Sequence, residues 1–303
     1  NNTIIMLKKY IHSLIDNTEK NNIPKDMNLI IDGGAFTGAQ TAGCLYYIKE
    51  LEKLNITKVN KISGCSIGSL LGYMYLTDTL EYIPQYYKIL LQYARKKVKF
   101  KKVIELIESH VKKTDYTCAN NRLFISYNNI DTIENVIISE YKSEQELIDY
   151  IIRSSFLPFI INGKLRYKEK YCDGFLPYLF NKSSSSTLFI SLINIRNIKH
   201  TIYSNNDNNI WNKLFDGVED INLFFKENKT ASKYCSFIEK WQIKDFILFR
   251  MRELICLVLI IIIKYSNYLP TNIYKYIKDN IYYKRISSIV ILLIQNIISY
   301  NIF

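Results

Sequence analysis

One pentapeptide constrains this chain more than any other segment: Gly64-Cys65-Ser66-Ile67-Gly68. It follows directly on residues 58–62, which read as a strand, and opens a run to about residue 75 that reads as a helix. A chain that passes from strand to helix within a residue needs a strained backbone there, and small neighbours relieve the crowding. Gly64 and Gly68 are the small neighbours of this elbow. Such a turn lifts the Ser66 hydroxyl out of the sheet and aims the first amides of the following helix at the point where negative charge would develop. The competing reading is a tight turn whose serine caps the helix.

A second turn, Asp32-Gly33-Gly34-Ala35-Phe36-Thr37-Gly38, also lies between a strand (27–31) and an amphipathic helix (37 to about 54). Gly33 and Gly34 lack Cβ atoms, so their N–H groups can turn toward a ligand oxygen. The tetrahedral intermediate of acyl transfer needs such donors. The turn could instead hold a phosphate or nucleotide, but neither G-x-G-x-x-G nor G-x-x-x-x-G-K-[ST] is matched. Further along, Asp173-Gly174 ends another candidate strand region. An Asp-Gly pair by itself marks a turn, yet a serine nucleophile needs a base, and a tuned carboxylate can serve.

Between these turns the pattern alternates. Residues 123–128, 135–139 and 188–193 read as strands, 80–113 as helical, and 143–155 as a helix with a capping-box start from Ser143 to Glu146. The segment 165–171 fits strand or loop, and 183–186 reads as a surface loop. Strands alternating with helices predict an α/β fold: a three-layer α/β/α sandwich around a mainly parallel sheet, with a helical C-terminal extension. The expected division is a helical leader (1–26), a catalytic domain (27–205) and a mostly helical region (206–303) with no further glycine or catalytic-looking cluster after residue 240.

The three motifs together resemble the patatin-like phospholipase family, which pairs D-G-G-G-x-[KR]-G with a G-x-S-x-G serine and a later D-G-[GA]. The likeness runs over about residues 27–195, and Ser154-Ser155-Phe156-Leu157-Pro158-Phe159 is similar to the family's A-S-x-x-x-P segment. It implies a Ser66–Asp173 dyad, an oxyanion hole built by Gly33, Gly34 and Ala35, acyl-ester hydrolysis of phospholipids, and no cofactor or metal. Three positions depart from the pattern. Ala35 replaces the third glycine, Thr37 the usual cation, and Phe175 the residue after Asp173-Gly174. These departures keep a rival open, an inactive scaffold of the same fold. A Ser-Asp-His triad is a further rival, and His200 is the one histidine that follows Asp173.

Charge and cysteine usage bound the surroundings. Net charge is +12, which favours anionic partners. Arg95, Lys96, Lys97, Lys99, Lys101 and Lys102 crowd one short stretch, read as contact with an anionic membrane surface or as a solvated face. Nucleic acid ranks lower because no nucleic-acid motif accompanies the run. Six dispersed cysteines without a C-x-x-C suggest neither zinc nor a disulfide framework, and point to reduced thiols in the cytosol. No signal peptide is read at the N-terminus. The stretch 254–263 is too short to span a bilayer, and 286–303 is marginal, fitting a packed helix or membrane contact.

Overall fold

The computed structural model describes residues 2–34, 38–95, 101–158, 164–181, 185–192, 209–226 and 232–265. Its strands are β1 (Asp26–Ile31), β2 (Lys58–Cys65), β3 (Leu123–Asn129), β4 (Glu134–Ile138), β5 (Tyr171–Cys172), β6 (Ser186–Ile190) and β7 (Cys235–Phe237). They form one seven-stranded mixed sheet in the order β4-β3-β2-β1-β6-β7, with β5 paired to β3. The inner pairs β3–β2, β2–β1 and β1–β6 are parallel, and the pairs that add β4, β5 and β7 are antiparallel.

The described helices are α1 (Asn2–Asp16), α2 (Gly38–Lys53), α3 (Ile67–Leu76), α4 (Ile83–Arg95), α5 (Lys101–Val111), α6 (Glu144–Ser154), α7 (Ile210–Lys226) and α8 (Ile243–Tyr265). Side chains alternate across each strand, so β1 feeds two layers. Met27, Leu29 and Ile31 enter the main core with residues of α1, α2, α3, α6 and α7. Ile30 turns the other way, to Phe189, Leu176 and Phe249 of α8. The expected α/β sandwich is therefore observed, with a mixed, mostly parallel sheet. The C-terminal helix serves as its cover on the second face.

Several expectations meet the structure with adjusted bounds. The strand at 188–193 begins at Ser186 and ends at Ile190. The 80–113 segment contains a 3₁₀ turn (Leu80–Tyr82), α4 and α5. The capping box forms with a one-residue offset. Ser143 Oγ accepts the Glu146 N–H at 3.2 Å, while Glu146 Oε2 accepts the N–H of Lys142 at 2.8 Å. Helix α7 and strand β7 fall where the sequence pattern loosens. Leu214, Val218, Ile221 and Phe225 of α7 are fully or almost fully buried in the core that also holds Met27, so residues on both sides of position 205 share it. Each such side chain contributes about 1.5–3 kcal/mol by burial.

The strand order reverses at β1. From β1 the chain moves by way of α2 to β2 on one side, and β6 joins β1 on the other. In open parallel sheets, ligands bind outside the carboxyl ends of the strands at such a reversal. Asp32 follows β1 and Ser66 follows β2 at that point.

Candidate active site

Ser66 has φ 53° and ψ −131°, a left-handed backbone that a residue with a Cβ adopts only under constraint. It occupies the cap position of α3, yet its side chain makes no capping hydrogen bond, so the helix-cap reading does not hold. The glycines of the elbow are required by contact. A Cβ on Gly64 would lie 2.5 Å from the Gly68 carbonyl oxygen, and one on Gly68 would lie 2.5 Å from the Ile31 carbonyl oxygen. The peptide of Ser66 is held from outside the elbow. Its N–H donates to Ser154 Oγ at 2.9 Å, and its carbonyl accepts from Ser155 Oγ at 3.2 Å.

The same short segment holds Asp173. The Asp173 N–H donates to the Phe156 carbonyl at 3.0 Å, and the Gly174 N–H to the Ser154 carbonyl at 3.1 Å. Read from residue order alone, the stretch from Ser154 to Phe159 carries a family likeness and no assigned task. In the structure it fixes both the serine peptide and the aspartate peptide. Phe159 lies outside the described residues.

Asp173 is buried, 2 % exposed. Its Oδ1 accepts the Phe175 N–H at 2.9 Å, and Oδ2 has no hydrogen-bond partner among the described residues. Burial lifts the carboxyl pKa from 3.8 to about 7. The Phe175 amide and the neighbouring Ser66 hydroxyl oppose the rise, and the negative charge of Asp32 adds to it. The Phe175 departure has a structural counterpart. This residue sits at φ 52°, where glycine is at ease, and its ring packs beside Ile130, Ile260 and Ile263.

The glycine turn comes close to the serine. A Cβ on Gly33 would stand 3.3 Å from Ser66 Cβ and 3.4 Å from Cys65 Sγ. The Gly33 N–H, expected to face a ligand, instead donates to Asp32 Oδ1 at 2.9 Å. Gly34 is partly exposed; Ala35 and Thr37 lie outside the described residues. Asp32 gathers further donors. Ser191 Oγ reaches Oδ2 at 2.5 Å, and Arg252 of α8 contributes Nη1 to Oδ2 at 2.9 Å and Nη2 to Oδ1 at 3.1 Å. The expectation that no catalytic-looking cluster follows residue 240 is thereby corrected: a largely enclosed guanidinium from that region meets the first turn. A cavity of about 450 Å³ begins at Gly174 and continues past Leu176, Ile133, Leu257 and Ile260; Ser66 and Asp173 do not line it.

The remaining predicted residues fall elsewhere. His200 lies outside the described residues. His12 bonds Glu50 and His110 bonds Thr79 and Tyr86, so neither meets Ser66. In the basic run, Arg95 ends α4, Lys101 and Lys102 begin α5, and Lys102 pairs with Glu105. Lys96, Lys97 and Lys99 lie outside the described residues. Among the described residues no cluster of His, Cys, Asp and Glu is arranged to hold a metal ion.

A mixed, mostly parallel α/β sheet with a strained serine elbow beside a buried carboxyl of raised pKa defines a class, the serine-elbow α/β proteins. Within it, no family model matches the chain. The human protein named patatin-like phospholipase domain-containing protein 4 is 28% identical over 163 residues, 50% of this chain and 64% of its own length. The chain thus spans less than two thirds of that relative, and the likeness supports the patatin-like family distantly.

Proposed function

We propose that the chain is a lipid acyl hydrolase that uses Ser66 as nucleophile and Asp173 as its acid/base partner. The observation that carries this is the serine at a strained strand–helix elbow beside a fully buried carboxyl with a pKa near 7. A base of ordinary acidity would be too weak to take a hydroxyl proton, whereas one tuned toward neutrality is matched to the task. The distant relationship to a protein named as a phospholipase points to the same chemistry.

In this reading Ser66 Oγ attacks the acyl carbonyl carbon while its proton passes to Asp173. Collapse of the tetrahedral intermediate breaks the ester C–O bond, and the departing alkoxide takes that proton back. A water molecule then gives its proton to Asp173 and its oxygen to the acyl carbon. Release of the acid returns the proton to Ser66. The oxyanion is assigned to the glycine turn of Gly33, Gly34 and Ala35, whose close approach to Ser66 the missing Cβ of Gly33 permits.

The substrate class is glycerophospholipid, met at an anionic bilayer. Net charge supports the anionic surface, and an outward face of α8 bearing exposed Ile247, Leu254 and Ile262 supports contact with a bilayer. No helix among the described residues is long and apolar enough to cross a membrane. The test is turnover of a fluorogenic phospholipid in anionic and in zwitterionic vesicles. Wild type is expected to turn over faster on the anionic surface, and Ser66→Ala and Asp173→Asn to lose at least about a thousandfold. Full activity in either variant would overturn the dyad, and failure of a fluorophosphonate to label folded wild type would favour an inactive scaffold.

A further inference from the structure

Asp32 is the first residue of the glycine turn, and its carboxylate is almost wholly buried. A buried carboxylate is tolerated when paired and hydrogen-bonded. Here its four close donors come from three places. They are its own turn (Gly33 N–H), the end of β6 (Ser191 Oγ), and the two nitrogens of Arg252. The two-pronged contact fixes orientation as well as charge, which a lysine ammonium could not reproduce. Oδ1 accepts both the Gly33 N–H and Arg252 Nη2, so the guanidinium sits one atom away from the first amide of the turn.

Arg252 is itself well placed to hold still. Helix α8 is packed through Phe249 on one side of it and through Ile260 and Ile263 on the other. Its C-terminal end is tied down by Arg166, which donates to the Ile263 and Lys264 carbonyls at 2.9 and 2.8 Å. The Asp32 and Arg252 charges are thus set between the carboxyl end of the interior strand β1 and an anchored helix. Thr37, meanwhile, leaves the glycine turn without a cation of its own.

We propose that Arg252 is a positioning residue for the glycine turn: through Asp32 it holds Gly33 and Gly34 against Ser66, and it supplies from α8 the cation that the turn lacks. The proposal rests on the acyl-hydrolase reading above for its catalytic consequence. Its structural content can be tested without that reading.

Four variants in the full chain serve: Arg252→Met, Arg252→Lys, Asp32→Asn, and Arg252→Met combined with Asp32→Asn. Hydrogen exchange is read on peptides covering 27–38 and, as an internal standard, on α3. In Arg252→Met the 27–38 amides are expected to exchange about tenfold faster or more, with α3 unchanged. The combined variant, which leaves no bare carboxylate, is the check that remains interpretable if Arg252→Met folds poorly. Its turn amides are expected to exchange as fast as those of Asp32→Asn alone. In turnover of the fluorogenic phospholipid, Arg252→Met should lose about ten- to a hundredfold in kcat with KM changed little, since misplaced donors act on the transition state. Arg252→Lys should recover part of that loss. Unchanged exchange of 27–38 in Arg252→Met and in the combined variant would overturn the proposal. So would a kcat equal to wild type in a folded Arg252→Met. Absence of Ser66-dependent turnover in wild type would instead count against the hydrolase reading, leaving the exchange result to decide the role of Arg252.

Discussion

The smallest scale of interest is a single backbone dihedral pair. Ser66 is bent into a conformation that its Cβ resists, and no cap bond of its own compensates. Such strain costs on the order of 1–3 kcal/mol. Ser66→Gly is therefore expected to raise stability by about 1 kcal/mol, while Ser66→Ala, which keeps the Cβ, does not. Paired thermal melts would show it, and equal melting of the two variants would refute the strain argument. Asp173 gives a second expectation at this scale. Under the proposed function Asp173 is the base and must be ionised, so kcat/KM should rise with pH along a single limb centred near its pKa of about 7. A flat profile from pH 5 to 9 would show that another group takes the proton.

At the scale of elements, the tightest packing is between α2 and α7. A Cβ on Gly43 would lie 2.1 Å from the Leu214 carbonyl oxygen, and one on Gly217 would lie 1.9 Å from that of Gln40. Both contacts are with backbone, so neither can yield by a rotamer change. Gly217→Ala is expected to destabilise by about 2–4 kcal/mol, measured by denaturant unfolding; a loss under about 0.5 kcal/mol would mean that the helices part freely. How far the sequence could be read follows from the same distinction between local and distant constraint. The elbow at Ser66, the turn at Gly33 and the cap at Ser143 are written within a few neighbouring residues, so spacing alone revealed them. The tie between Ser154 and Ser66 spans 88 positions, and that between Arg252 and Asp32 spans 220. Each is made by the fold, and no local periodicity encodes it. Helix α7 lies in the region read as mostly helical (206–303), but without bounds. Leu214, Val218, Ile221 and Phe225 recur at helical spacing, yet no glycine or proline punctuation marks where the helix starts and stops.

For the whole molecule, a buried carboxyl is a standing cost. The folded pKa of Asp173 is raised, from 3.8 to about 7. Between those values the folded state binds the proton that the unfolded chain has released, so stability falls as pH rises through the window and stays low above it. Asp173→Asn should thus be more stable than wild type at pH 8, on the order of 2–4 kcal/mol, and nearly equal to it at pH 4. Melts at the two pH values decide; a pH-independent difference would count against the burial cost. The distance in sequence between Asp32 and Arg252 has a consequence of another kind. Ribosomes make the chain from one end, so Asp32, Ser66 and Asp173 all emerge and can begin to fold while the arginine is still untranslated. Until α8 is synthesised, the acid at the head of the glycine turn has no counter-ion. A product cut short before residue 243 would carry Ser66 and Asp173 with that turn unsecured, and on the role proposed for Arg252 the site would be completed only as the last described helix is laid down.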